Sequence, residues 1–262
     1  MGRLLAGESL RVRRYWIETS DKSGDLVHFR GDLHHHIFDV CRQELGSKFE
    51  VLTEEGKAYL VKVTQLDRKA ALAEVIEERV IPALAKPWIR VVLSVPRYPV
   101  MDSVLEKLVE LGVKSVHPVF SEFSFVRSAG TLSENKVQRW EKIIQSATQQ
   151  SGRGEKMELH EARPLKTFLE GINRNEGFAG LFAYEGPSTL GIKEELTRMK
   201  SQGVPSEIWL FVGSEGGFST QEVESFREVG LKPVTLGQQV LRVETACMAL
   251  VSVLKYDFDL MR

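Results

Sequence analysis

The residues best suited to chemistry lie between Glu207 and Lys255. The stretch Val212-Gly213-Ser214-Glu215-Gly216-Gly217-Phe218 sets a carboxylate among three glycines. Leu236-Gly237-Gln238-Gln239-Val240-Leu241-Arg242-Val243-Glu244 sets a glycine turn a few residues ahead of an Arg/Glu pair. Glycine lets a ligand approach the backbone and tolerates positive φ. In open α/β sheets, ligands settle in the crevice beyond the C-terminal ends of the strands. Two such loops can hold an adenosine-containing ligand largely through backbone hydrogen bonds, and an arginine beside them can stabilise developing negative charge. On the residues alone, two readings stay open: the glycines serve tight turns, and Arg242 is a structural ion-pair partner of Glu244.

These loops need elements to hold them. Ile208-Trp209-Leu210-Phe211-Val212 is a continuous apolar run, the pattern of a strand buried on both faces. Ser219 with Glu222 fits a capping box, so a helix is expected from Thr220 to Gly230. Lys232 to Leu236 reads as a second strand. Val243 to Lys255 reads as a helix apolar nearly all round, to be buried in a core or against a second subunit. Upstream, Trp88–Val95, Val113–Val119, Met157–His160 and Gly180–Tyr184 read as strands. They alternate with helices at Met101–Leu111, Lys136–Gln150, Leu165–Gly171 and Ile192–Lys200. That alternation is the signature of an α/β domain with a mostly parallel sheet.

The first 80 residues differ. Phe49–Leu52 and Ala58–Val63 flank a glycine-containing turn as a hairpin. Ala70–Glu77 is a further strand, and Asp32 can cap a short helix that runs into His34-His35-His36. Consecutive histidines cannot all face one way on a helix, so packing or surface roles are expected rather than a metal site. Arg11, Arg13 and Arg14, with Tyr15 and Trp16, can contact phosphates and stack on bases; as an edge strand they only carry solvated arginines. Pro82 and Pro87 bracket a linker, giving a β-rich domain at 1–80, a linker at 81–87 and an α/β domain at 88–262.

The chain has 262 residues, 42% hydrophobic and 27% charged, with formal net charge −1. Nucleic-acid binding must therefore use a local patch. Cys41 and Cys247 read as free thiols of a reducing compartment. No run is long and apolar enough for a membrane, so a cytoplasmic protein without metal or membrane partner is expected. The glycine loop lacks the Lys-Ser/Thr of a P-loop, and no dinucleotide fingerprint or nucleophile elbow is present.

Val212–Ser219 resembles the segment I/V-G-P-E-G-G-F-S, and Leu236–Ala246 resembles L-G-x-x-I-L-R-x-E-T-A, of the bacterial 16S ribosomal RNA uridine N3-methyltransferases of the SPOUT class. Glu106–Val113, Arg139–Trp140, Gln150–Arg153, Arg13-Arg14 and His34-His35 fit the same family. Ser214 stands where the family has proline, and Gln238-Gln239 where it commonly has Pro-Arg. The resemblance implies a PUA-like RNA-holding β-barrel domain followed by a domain with a C-terminal trefoil knot. It further implies S-adenosylmethionine as cofactor, 16S rRNA in the small ribosomal subunit as substrate, and a homodimer. Val212, Gly213, Glu215, Gly216, Gly217, Leu236, Gly237, Leu241 and Arg242 are then expected at the cofactor, with Arg242 catalytic. Arg11, Arg13, Arg14, Arg127 and Arg153 are expected on RNA. Glu215 is either a proton acceptor or a structural carboxylate bonded to loop N–H groups. Two other readings are a non-catalytic RNA-binding protein of the same fold and an α/β enzyme for a different adenine nucleotide.

Overall fold

The computed structural model describes residues 13–172, 178–186 and 190–261. They fall into two compact units. The first takes the described residues up to Ala83 and also Thr148–Lys156; the second takes Leu84–Ala147 and the described residues from Met157 on.

The first unit holds β1 (Arg14–Trp16), β2 (Lys22–Ser23), β3 (Leu26–Arg30), α1 (Gly31–His34) running into a π-helical turn His35–Val40, β4 (Lys48–Leu52), β5 (Lys57–Leu66) and β6 (Ala70–Val80). Among the described residues they form a six-stranded sheet in the order β1-β4-β5-β6-β3-β2. The hairpin expected around Gly56 is present, with Leu52 opposite Ala58. Alternate residues point to one core of Val27, Phe29, Phe49, Val51, Val61 and Val63, as the two-residue strand period requires. Register shifts at Leu60/Val61 and Val63/Gln65 mark bulges where β5 and β6 bend. The short helix differs from expectation. Asp32 lies inside its first turn and Arg30 is the residue before it, with no side-chain cap. The three histidines part company as their spacing requires: Nε2 of buried His34 meets the Asp67 carbonyl, His35 pairs with Asp39, and His36 faces the Cys41 sulfur.

The second unit holds β7 (Trp88–Ser94), α2 (Tyr98–Glu110), β8 (Ser115–Phe120), α3 (Glu134–Ser151, its last turn in the first unit), β9 (Glu158–Leu159), β10 (Arg163–Pro164), α4 (Leu165–Gly171), β11 (Phe178–Ala183), β12 (Leu190–Gly191), α5 (Ile192–Ser201), β13 (Glu207–Val212), α6 (Thr220–Glu228), β14 (Lys232–Thr235) and α7 (Val243–Asp257). The strands lie in the order β10-β8-β7-β13-β11-β14-β12, with β9 beside β8. Every pairing is parallel. The helix α2 begins three residues before the expected Met101, because Pro99 fits a first turn whose N–H groups have no partner in the helix.

The central strands are buried on both faces, which explains their unbroken apolar runs. Ile89, Val91 and Leu93 with Ile208, Leu210 and Val212 meet α2, α3, α5 and α7 on one side. Val92 and Phe211 meet Phe168, Phe182, Val223 and Phe226 on the other. α7 buries only one stripe: Val243, Cys247, Leu250, Val251 and Leu254. Each aliphatic side chain there contributes about 1.5–3 kcal/mol. Met248, Ala249 and Ser252 are half-buried and Tyr256 is exposed, so within one chain this helix is not covered all round. Among the described residues, no helix is long and apolar enough to cross a membrane.

Candidate functional site

β13 ends at Val212 and the chain turns back on itself at once. The Gly217 N–H donates to the Ser214 carbonyl at 2.9 Å, with Gly217 at φ +70°. A Cβ on Gly213 would lie 2.7 Å from the Gly217 Cα and 2.8 Å from its carbonyl carbon. A Cβ on Gly216 would lie 2.8 Å from the Cβ of Phe123. These two glycines are therefore demanded by close approach of other parts of the chain. Ser214 Oγ donates to the Phe123 carbonyl at 2.6 Å. Glu215 Oε1 accepts the Arg97 N–H at 3.1 Å, just ahead of α2, where a carboxylate satisfies a free amide and suits the helix dipole. The capping box is formed: Glu222 Oε2 accepts the Ser219 N–H at 2.9 Å and the Glu222 N–H donates to Ser219 Oγ at 3.4 Å. The other Glu222 oxygen accepts the Glu122 N–H at 2.8 Å.

The second loop follows β14. Thr235 Oγ1 donates to the Gly237 carbonyl at 2.9 Å and lies 3.2 Å from the Gly237 N–H. Gly237 has φ +133°. The chain then runs to Arg242, the residue before α7, whose carbonyl accepts the Ala246 N–H at 2.8 Å.

Between the loops lies a cavity of about 800 Å3, well inside the range of small-ligand sites. Val212, Gly213, Glu215, Gly216, Gly217, Leu236, Leu241 and Arg242 line it, as do Ser214, Gln239, Val240, Val243 and Glu244. Gly237 does not line it; its backbone turns the loop. A third wall, Ala183-Tyr184-Glu185-Gly186, comes from the end of β11, and Arg97 and Val100 come from the start of α2. Sequence reasoning missed both. The signal for the third wall was available, since Gly186 follows a short apolar strand just as Gly213 does. Nothing local marks Arg97, which reaches the cavity only because β7 lies beside β13.

Among the described residues, the titratable ones lining the cavity are Arg97, Tyr184, Glu185, Glu215, Arg242 and Glu244, with no His, Cys or Lys among them. Arg242 is exposed and, among the described residues, has no side-chain hydrogen bond or ion pair, not even with Glu244. Burial, with Glu244 adding to it, pushes the nearby Cys247 thiol up to about 12, so it stays protonated and is no nucleophile. His117, in the middle of β8 and not in the cavity wall, is held down to about 3 by burial, by the stacked His160 and by Arg90. The site therefore offers shape, backbone groups and the guanidinium groups of Arg97 and Arg242 rather than an imidazole or thiolate.

The arginines expected on RNA differ in their surroundings. Arg11 lies outside the described residues. Arg13 donates through Nη1 to the Cys41 carbonyl. Arg14 forms an ion pair with Glu50 at 2.8 Å. Its neighbours Tyr15 and Trp16 are buried, so these rings are core and not a stacking surface. Glu50 also binds Arg79, and these two guanidinium groups, Arg79 foremost, hold its carboxyl below the usual range. Arg127 is exposed in the second unit. Arg153 is only 9% exposed, inside the first unit, and presents little surface to a phosphate.

Glu215→Ala is expected to lower stability by about 0.5–1 kcal/mol through loss of the acceptor at the start of α2. Glu215→Gln, which keeps an oxygen there, should recover most of the fall in melting midpoint. Equal midpoints for the alanine variant and the parent would contradict this role.

Residues 84–255 match the family described as RNA methyltransferase domain, and residues 29–76 match the RNA methyltransferase PUA domain. Ribosomal RNA small subunit methyltransferase E of Aquifex aeolicus is 31% identical over 237 residues, spanning 90% of this chain and 96% of that protein. The protein of the same name from Bacillus subtilis is 25% identical over 260 residues, spanning 96% and 99%. Among solved structures, a Ribosomal RNA small subunit methyltransferase E from Neisseria gonorrhoeae bound to S-adenosyl methionine is similar with a TM-score of 0.80 and 26% identity. That likeness spans 94% of this chain and 97% of that one.

Proposed function

Because the chain belongs to the RNA methyltransferase family, with the methyltransferase domain at 84–255 and the PUA domain at 29–76, we propose that it transfers the methyl group of S-adenosylmethionine to uracil N3 of a uridine in the 16S RNA of the small ribosomal subunit. The observation that carries this reading is the cavity between the two glycine loops. Its size, its apolar wall of Val212, Leu236, Leu241, Val243 and Leu250, and its carboxylates Glu185 and Glu244 suit an adenosyl group joined to a cationic tail.

Bound there, the cofactor supplies an electrophilic methyl already activated by its sulfonium charge. The chain's own task is to align and to shape charge. The backbone around Gly213–Gly217 and Leu236–Leu241 holds the ligand. Arg242, on the wall where the second glycine loop meets α7, stabilises the negative charge that spreads onto the uracil oxygens as N3 loses its proton to solvent. Glu215 acts as a structural carboxylate, since it accepts the Arg97 N–H. The PUA domain contributes RNA contacts. The half-buried face of α7 with Met248, Ala249, Ser252 and exposed Tyr256 suits a second copy of the chain.

The test is methylation of small ribosomal subunits, and separately of naked 16S RNA, from cells lacking this activity, with a methyl-labelled cofactor. Digestion to nucleosides should place the label in 3-methyluridine. Label in another nucleoside would overturn the position, and no label in either substrate would overturn the activity. S-adenosylhomocysteine should raise the melting midpoint where NAD and ATP do not.

A further inference from the structure

The loop after β8, Ser121-Glu122-Phe123-Ser124-Phe125-Val126-Arg127, inverts the ordinary pattern of burial. Ser124 is 2% exposed and Val126 5%, whereas Phe123 is 43% and Phe125 55% exposed. A loop free to relax would turn its phenyl rings inward and its serine outward. This one is pinned. The Ser121 N–H donates to Ser124 Oγ at 2.9 Å and the Phe125 N–H to the Val95 carbonyl at 2.8 Å. The Phe123 carbonyl accepts from Ser214 and the Glu122 N–H is held by Glu222. The first of these two ties joins the loop to the glycine turn of the cofactor cavity, and the second joins it to the first turn of α6. Phe123 lies directly against Gly216, which lines that cavity. Phe125 is braced edge-on by Tyr98 at 5.5 Å and 81°, one residue from the cavity-lining Arg97.

We propose that Phe123 and Phe125 form a stacking platform for unpaired nucleobases of the RNA substrate beside the methyl-transfer cavity. This rests on the RNA methyltransferase reading above and adds the residues that hold the strand at the site. Every base has a π face, so exposed rings bind single strands with little regard to sequence. Cations alternate with the rings along the chain: exposed Arg97 precedes Tyr98, exposed Arg127 follows Phe125 by two residues, and Lys136 Nζ lies 4.6 Å above the Tyr98 ring. Aromatic and basic side chains interleaved in this way match a nucleic acid better than a second copy of the chain, whose contact would be depleted of charge at its centre. Glu122, the acidic residue of the loop, disfavours a phosphate there, which leaves the bases as what rests on the rings.

The test uses the full chain and a short single-stranded oligoribonucleotide carrying one 2-aminopurine, whose emission is quenched by stacking. Phe123→Ala with Phe125→Ala should weaken binding about tenfold or more and restore the emission. A Phe→Leu pair keeps apolar area without a π face and should bind as weakly as the alanine pair, whereas a Phe→Trp pair should bind like the parent. The change in melting midpoint with S-adenosylhomocysteine should be the same in all. A leucine pair that binds like the parent, or a parent that binds without quenching, overturns the platform. So does an alanine pair that dissociates a dimer while RNA affinity stays unchanged. Binding and methyl transfer are read separately, so a chain that stacks the probe but methylates nothing retains the platform and loses the proposed activity.

Discussion

Gly213→Ala is expected to weaken S-adenosylhomocysteine binding by about a hundredfold and to remove methyl transfer with it, a loss at the upper end of what overpacking costs. The added Cβ would fall 2.7 Å from the Gly217 Cα, which is backbone and cannot swing aside. Relief requires the Ser214–Gly217 turn to move. That movement breaks the Gly217 N–H bond to the Ser214 carbonyl and draws Ser214 from Phe123 and Glu215 from Arg97. The strand itself stays buried, so the chain should still fold, with a stability loss of about 1–3 kcal/mol. Gly217→Ala is the control. A Cβ there meets nothing within 4 Å, and only the φ of +70° is strained, a cost of about 1–2 kcal/mol. Calorimetric titration of both variants checks the contrast. If Gly213→Ala binds as tightly as Gly217→Ala, the folded-back turn is not what shapes the cavity.

Arg242→Ala is expected to lower the methyl-transfer rate by about 10²–10³, the loss typical of one preorganised charge-stabilising donor. Affinity for S-adenosylhomocysteine should change little. Arg242 has no ion pair among the described residues, and it caps α7 through its backbone alone, so the fold does not depend on its side chain. A charge-stabilising role predicts a fall in kcat and kcat/KM together. Arg242→Lys should recover only part of the rate, since an ammonium lacks the planar fork of a guanidinium. A variant that turns over normally, or that changes only KM for RNA, would remove Arg242 from the reaction.

Much of the second unit was legible because it depends on near neighbours. The capping box of Ser219 and Glu222 spans three residues and forms as expected. The unbroken apolar run before Gly213 reports a strand covered on both faces, and Gly230 closes α6 at φ +84°. The alternation of strands and helices carried the parallel sheet. Arg14 and Tyr15 were ambiguous for the opposite reason. A basic and aromatic string reads the same whether its rings face a ligand or a core, and here Phe49, not a base, lies against Tyr15. Arg153, expected on RNA, is only 9% exposed because the segment Thr148–Lys156 packs into the first unit, which no neighbouring residue signals.

By itself, then, the sequence determined the glycine loops, the strands that feed them and the helices that leave them, because turn chemistry, capping and side-chain period act within a few residues. Only the tertiary structure decided which other parts complete the cavity. Arg97 meets Glu215 across 118 residues, Phe123 meets Ser214 across 91 and Glu122 meets Glu222 across 100. Such pairs exist because β7, β8, β11 and β13 lie side by side in the sheet. The order of strands is set by the packing of the whole core, not by any stretch of chain read alone.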